Sequence, residues 1–403
     1  MQSLHGIRVL DLSRVLAGPF CTMSMGDLGA EVIKVEEPGT GDETRAFGPP
    51  FVKGISTYFL SINRNKKSLA VNLKHPEGLK IVQALALRSD VVVENFRPGV
   101  AERLGVGWER LRADNPRLIY CSISGFGHQG LPEYTKLPGY DAVMQGLAGL
   151  QHLTGQADGP PTKVGISIAD ILTGMTAIQG ILLALFSRER SGQGSRLDIS
   201  MLDSTVQALT FQAANHLIAN RNPGRVGNRH ASIAPYETFR AKDGYLNVAV
   251  ANDGQFKKLC DLLGTPAVAE DPRFAQNRSR VENREALAEN LSAVFQTRPV
   301  GEWVAALQSA GIPAGPILDL AQLFAHPQLV ARRTLVDADH PLLGAIRMVG
   351  SPIKTVPLGD PPAVLPPPAL GEHTEEILRS TLELDPAEVQ RLVAAGAIAL
   401  KSA

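Results

Sequence analysis

A chain of 403 residues, 44% of them hydrophobic, is long enough for about two or three domains with cores of their own. Forty Lys plus Arg balance forty Asp plus Glu, so no global charge draws the chain to nucleic acid or to an anionic membrane, and an anionic ligand must be held by a local site. Cys21, Cys121 and Cys260 are far apart and outside any Cys-x-x-Cys pair, and the nine histidines do not pair with one another or with a Cys at ligand spacing, which argues against a disulfide framework and against a metal site and fits a reducing cytoplasm.

The first β-rich run, Ile7 to Leu12, begins so early that no presequence is expected before it. Further short runs follow at Glu31–Val35, Val91–Glu94 and Leu118–Ser122, separated by helix-like segments such as Gly78–Leu87. This alternation predicts an α/β core with a largely parallel sheet. The apolar stretch Ile166–Phe186 is interrupted by Asp170, Gly174, Gln179 and Gly180, and we read it as a long buried helix of a soluble protein rather than a membrane span. A strand at Arg196–Ser200 and a helical run from Leu202 to Ile218 complete a large domain over residues 1–220.

The pattern then changes. Tyr236–Arg240 and Tyr245–Val250 flank Ala241-Lys242-Asp243-Gly244, the turn chemistry of an antiparallel hairpin. Helical stretches at 253–263, 284–295 and 300–310 continue a smaller α+β domain over 221–330, broken by Gly311-Ile312-Pro313-Ala314-Gly315-Pro316. In the C-terminal segment 331–403, the proline-rich stretch Val356–Pro368 reads as an extended connection, and Glu375–Ser380 and Pro386–Ala394 as helices.

Among residues that could carry chemistry, no Gly-x-Gly-x-x-Gly follows the first strand; Ser13-Arg14-Val15-Leu16-Ala17-Gly18-Pro19 stands there, and Glu36 at the end of the second strand is by itself a weak ribose-binding signal. Gly165-Ile166-Ser167-Ile168-Ala169 nearly matches the Gly-x-Ser-x-Gly elbow of serine hydrolases but lacks the last glycine. Asp170 opens the apolar run that follows. On spacing alone its position favours a helix N-cap, although the same geometry serves a nucleophilic carboxylate kept anionic by a helix N-terminus, and the pattern does not separate the two.

Several blocks, taken together and in order, resemble the class III, or formyl-CoA transferase (CaiB/BaiF type), family of CoA-transferases. They are Val15-Leu16-Ala17-Gly18-Pro19, Gly26 to Glu36, Asn63-Arg64-Asn65-Lys66-Lys67-Ser68, Val93-Glu94-Asn95-Phe96-Arg97-Pro98-Gly99 and Leu370-Gly371-Glu372-His373-Thr374. Gly41–Arg45 through Phe51, and Ser232–Tyr236, resemble most its dicarboxylate branch, the succinyl-CoA:glutarate CoA-transferase group. The resemblance implies a Rossmann-like large domain, a smaller domain and an interlocked homodimer. It places the family's nucleophile on Asp170, and CoA, a substrate rather than a resident cofactor, against Val15, Ala17, Val71, Leu73, Lys74, Asn95, Phe96 and Arg103. Glu37 stands where formyl-CoA transferase has an Arg near the adenine. Tyr140 stands where a racemase branch of the fold uses a His, and His128 is out of register with that position.

The mechanism the resemblance implies is CoA transfer through an acyl-aspartyl anhydride and an aspartyl-CoA thioester, with succinyl-CoA as donor and glutarate, itaconate or a related short diacid as acceptor. Arg45, Arg64, Arg229 and His230, in or beside the branch-specific blocks, are candidates for the acceptor's distal carboxylate. The alternatives are a Ser167-dependent thioesterase and a CoA-ester binding protein without catalysis.

Overall fold

The computed structural model describes residues 2–357 and 363–401. Part of the Val356–Pro368 connection expected to be extended lies outside the described residues. The chain divides into two compact units. The large one holds residues 1–150, 164–213 and 328–403; the small one holds 151–163 and 214–327. Gln151–Lys163 thus groups with the small unit, although the sequence reading assigned everything before residue 220 to the large domain. No change of composition marks that excursion, because it leaves and re-enters within a few turns of chain.

Six parallel strands form the large unit's sheet: β1 (Arg8–Asp11), β2 (Glu31–Glu36), β3 (Lys66–Val71), β4 (Val91–Glu94), β5 (Ile119–Ser124) and β6 (Ser195–Ser200). Their spatial order is 3-2-1-4-5-6, and Ile398–Ala399 adds an antiparallel edge strand beside β3. The period-two alternation of these strands explains the two-sided core. Leu10, Ile33, Leu69 and Val92 face the helices 76–87, 374–380 and 386–394, while Val9, Val32, Val91 and Val93 face the helices Ala17–Asp27 and Ile168–Ser191.

The 168–191 helix is long and apolar enough to cross a membrane. One of its faces, with Ala169, Ala177, Ile181 and Leu185, is buried. It can lie close to the first helix because residue 174 is glycine: a Cβ there would come within 2.6 Å of the Ala17 carbonyl oxygen. Its last turn is tied by the buried Arg188, whose Nη2 lies 3.0 Å from Asp90 Oδ1. The helical run expected from Leu202 to Ile218 is two helices, Met201–Gln207 and Thr210–Leu217, divided where Thr210 takes a φ of 43°.

In the small unit, Tyr236–Arg240, Tyr245–Ala249 and Ala314–Pro316 form an antiparallel sheet. The segment Gly311–Pro316, read as a breaker, supplies the third strand. Phe239 stacks on Phe295 and Trp303 meets Phe295 edge-on in this unit's core, where the Trp303 indole N–H donates to the Phe295 carbonyl.

Candidate active site

In a parallel sheet of order 3-2-1-4-5-6, the chain leaves β1 and β4 in opposite directions, opening a crevice at their carboxyl ends where ligands bind. A 260 Å3 pocket occupies that place. Its lining comes from the loop after β1 (Arg14 to Ala17), the loop after β4 (Asn95 to Pro98), the end of β5 (Ile123 to Gly125), the segment 137–141 and Asp170. A second cavity of 830 Å3, lined by Val35, Glu37, Val71, Leu73, Lys74 and Val100 among others, shares Arg14, Glu43 and Phe96 with the first. At that junction Arg14 pairs with Glu43 at 2.8 Å and lies 5.6 Å from the Phe96 ring centroid.

The loop after β1 is braced from both sides. The Asn95 side chain accepts from the Arg14 amide at 2.8 Å and donates to the Arg14 carbonyl at 2.7 Å. Val15 has a φ of 67°, a left-handed conformation that a β-branched residue adopts only under constraint. Underneath, Lys34 and Lys66 are completely buried with Asp11 and Asp42: Lys66 Nζ lies 3.1 Å from Asp11 Oδ2, Lys34 Nζ lies 2.8 Å from Asp42 Oδ2, and Lys34 also donates to the Ser13 carbonyl at 3.0 Å. Two glycines shape the opposite wall. A Cβ on Gly139 would fall 2.4 Å from the Gly125 Cα, so the two backbones touch only because neither carries a side chain.

Asp170 is not the cap that the apolar run suggested. The helix begins at Ile168 with Ser167 at the N-cap position, so Asp170 is its third residue, and the Ser167 side chain makes no capping hydrogen bond. The helix entry is instead fixed by the helix Asp141–Leu147: Asp141 Oδ1 accepts from the Ala169 amide at 2.9 Å, Gln145 Nε2 donates to Asp141 Oδ2 at 2.7 Å, and Gln145 Oε1 accepts from the Val164 amide at 2.9 Å. Burial first, and the Asp141 charge second, push the Asp170 carboxyl up to about 7, with no cation among the causes to offset them. Tyr58 packs beside this point: burial and then the Asp170 charge hold its phenol above the ordinary range, and the Ser167 hydroxyl partly offsets them. A hydrolase elbow needs a strand running into its serine; residues 159–165 contain none, and no histidine lines the pocket.

The residues that the resemblance assigned to CoA divide between the two cavities. Val15, Ala17, Asn95 and Phe96 line the Asp170 pocket; Val71, Leu73 and Lys74 line the wider one with Phe96. Arg103 is exposed and lines neither. Of the acceptor candidates in the large unit, Arg45 and Arg64 each have a carboxylate partner away from Asp170. Arg45 is bound to Glu36 at 2.7 and 2.8 Å and lies 3.7 Å over the Phe59 ring, and Arg64 is buried against Asp27. Both guanidiniums neutralise carboxylates of their own unit, and neither lines the pocket. In the small unit, Arg229 pairs with Glu237 and Glu285, and His230 stacks on Tyr236 at 5.2 Å. The cations that do line the pocket are Arg14 and Arg97, and Arg97 is exposed with no carboxylate partner among the described residues. Tyr58, Asp141 and Arg97 all escaped the sequence reading as site residues. Arg97 lies in the Val93–Gly99 block and Asp141 directly follows Tyr140, whereas nothing in the spacing of Tyr58 points to Asp170.

Comparison with known proteins gives this geometry a family. The model of CoA-transferase family III matches residues 4–374. A succinyl-CoA:glutarate CoA-transferase of Mus musculus is 44% identical over 99% of this chain and 91% of its own length. An acetyl-CoA:oxalate CoA-transferase of Acetobacter aceti is 42% identical over 88% of this chain and 90% of its own. The crystal structure of a CAIB/BAIF family protein from Brucella suis superposes with a TM-score of 0.83 at 41% identity, covering 95% of this chain and 99% of that one. With sequence and backbone fold both agreeing over nearly the whole length, the chain belongs to CoA-transferase family III and is an enzyme of the CoA-transferase type.

Proposed function

We propose that this enzyme moves CoA from succinyl-CoA to a short dicarboxylic acid, glutarate first among them, with Asp170 carrying first the acyl group and then CoA. The observation that carries this reading is the Asp170 carboxyl itself, half-buried on the pocket wall without a cation and pushed up to about 7. A carboxylate so placed is poorly solvated and correspondingly more nucleophilic once ionised. It attacks the donor thioester carbonyl, the C–S bond breaks, and CoA thiolate leaves an acyl-aspartyl anhydride. The thiolate then attacks the aspartyl carbonyl, releasing the donor acid and leaving aspartyl-CoA thioester. The acceptor carboxylate reverses both steps, so no thioester energy is lost to water.

The paired cavities support the placement of CoA. The wider one, with Lys74 at its rim, suits the nucleotide end, and the Phe96 junction leads the thioester toward Asp170. Arg97 is our candidate for the acceptor's distal carboxylate, since it is the unpaired cation of that pocket. Names of relatives do not choose the acceptor by themselves, because the glutarate and oxalate enzymes are 44% and 42% identical to this chain. The reading includes a homodimer in a reducing compartment: Leu183 and Phe186 on the 168–191 helix are 70% and 60% exposed, an apolar face for a second copy to cover, and the three cysteines are free. Light scattering on the purified protein checks the dimer.

The test is peptide mass spectrometry after mixing with succinyl-CoA and trapping with hydroxylamine or borohydride. Modification at Asp170, lost in Asp170→Ala together with acceptor-dependent transfer, is the expected result. Release of free CoA without an acceptor, abolished by Ser167→Ala, overturns it in favour of a thioesterase.

A further inference from the structure

Beside the pocket, three buried side-chain atoms have no hydrogen-bond partner: Glu94 Oε1, Ser122 Oγ and His128 Nε2. They belong together. Glu94, at the end of β4, is the register partner of Ser122 on β5, which is in turn the partner of Asp198 on β6. His128 arrives from the loop after β5, its amide held by both Asp198 oxygens at 2.9 and 3.0 Å, and brings its Nε2 to 4.0 Å from Glu94 Oε1. Arg196 Nη2 lies 3.1 Å from His128 Nδ1, and because a guanidinium only donates, Nδ1 is the acceptor and Nε2 carries the proton. A donor therefore faces a carboxylate oxygen across a gap slightly too long for a hydrogen bond. The other Glu94 oxygen accepts from the Phe96 amide at 2.8 Å.

We propose that Glu94 and His128 are positioning residues that latch two walls of the Asp170 pocket to each other. One wall is the loop after β4, whose Asn95 and Phe96 line the pocket; the other is the end of β5, with Ser124 and Gly125, which continues into His128. The latch closes when Glu94 is ionised, since the anion then draws the Phe96 amide, the Ser122 hydroxyl and the His128 Nε2–H to itself. The groups around it fix the direction. Burial first, with Glu102 adding to it and Ser122, the Phe96 amide and Arg196 opposing it, raises the Glu94 carboxyl to about 7, while burial lowers His128 and keeps it neutral. Tyr120 and Cys121, which precede Ser122 on β5, are pushed up and stay protonated. Closing accordingly sets in as pH rises through neutrality.

The inference rests on the reading that this pocket takes CoA, and the experiment separates the two. Calorimetric titration of the intact enzyme with CoA is run at about pH 6 and about pH 8 on wild type, Glu94→Gln, His128→Asn and the double variant. We expect the wild type to bind CoA at least about fivefold more tightly, relative to either variant, at the higher pH, and the double variant to bind no more weakly than either single one. Glu94→Gln keeps the acceptor for the Phe96 amide, and His128→Asn alters a half-buried loop, so each tests the latch if the other fails to fold. Wild-type affinity and pH dependence in either folded variant overturn the latch and leave the function standing. Absence of CoA binding by the wild type overturns both.

Discussion

Asp11 and Asp170 are two carboxylates of the same unit, both removed from water, and their surroundings drive them in opposite directions. Asp11 sits at the end of β1 with no exposed surface; burial works against its charge, but Lys66 and Lys34 and the hydroxyls of Ser13 and Thr22 outweigh it and bring its carboxyl down to about 2. Asp170 is half-buried and has Asp141 as its charged neighbour, so its carboxyl rises to about 7. Burial pushes both carboxyls up; at Asp11 two cations and two hydroxyls reverse it, whereas at Asp170 no cation opposes it and Asp141 adds to it. The fold compensates one acid beneath the loop after β1 and leaves the other uncompensated on the pocket wall, where the proposed function puts its nucleophile.

The largest expected effect comes from removing the uncompensated acid. Asp170→Asn should lower transfer by at least about 1,000-fold, because an amide cannot form the anhydride. The same variant should unfold in urea with about 1–2 kcal/mol more stability at alkaline pH, discounted because the carboxyl is only half-buried. A variant both inactive and less stable would show that Asp170 is a structural acid like Asp11. Asp11→Asn should do the reverse, lowering stability by about 3–5 kcal/mol because it leaves two buried ammonium groups short of an anion; urea unfolding measures it, and a neutral result would dissolve the contrast.

The pH dependence sharpens the same comparison. The folded-state value of Asp170 lies above its unfolded value, so this group lowers stability as pH climbs from about 4 to about 7. For Asp11 the folded value lies below, and its contribution, present above about pH 4, is lost as pH falls toward about 2. In catalysis the anion is the reactive form, so kcat/KM for the donor should fall about tenfold per pH unit below about pH 7. Asp141→Asn, which retains an acceptor for the Ala169 amide, should move that limb toward acid. An unmoved limb would assign it to another group. The smallest effect is expected of Arg97→Leu: KM for a dicarboxylate acceptor should rise about tenfold with KM for the donor nearly unchanged. Equal increases in both would place Arg97 on CoA instead.

Much of the scaffold was legible in the sequence because strand alternation and turn residues are local signals. Glu31–Val35 and Val91–Glu94 needed almost no correction, and the hairpin at 236–250 followed from its turn. The pairing of charges was not legible. Arg45 and Arg64 were acceptor candidates because they lie in or beside the branch-specific blocks, yet Arg45 turns back onto Glu36 at the end of β2 and Arg64 meets Asp27 at the end of the first helix, pairings the blocks do not reveal. Asp170 illustrates the same limit at short range. The residue before an apolar run suggests a cap, but the helix starts two residues earlier because Asp141, from a different helix, captures the Ala169 amide.

The division of the chain also orders its synthesis. The sheet face carrying Leu10, Ile33, Leu69 and Val92 is made from the first hundred residues, whereas the helices 374–380 and 386–394 that cover part of it are translated after the entire small unit. At elongation rates of about 5–20 residues per second, roughly 300 residues separate the two, a delay of roughly 15–60 s during which part of this apolar face lacks its cover. The small unit, contiguous over 214–327 apart from residues 151–163, has all its strands before then. The larger unit is therefore the later of the two to complete its core, and the more dependent on protection while it is being made.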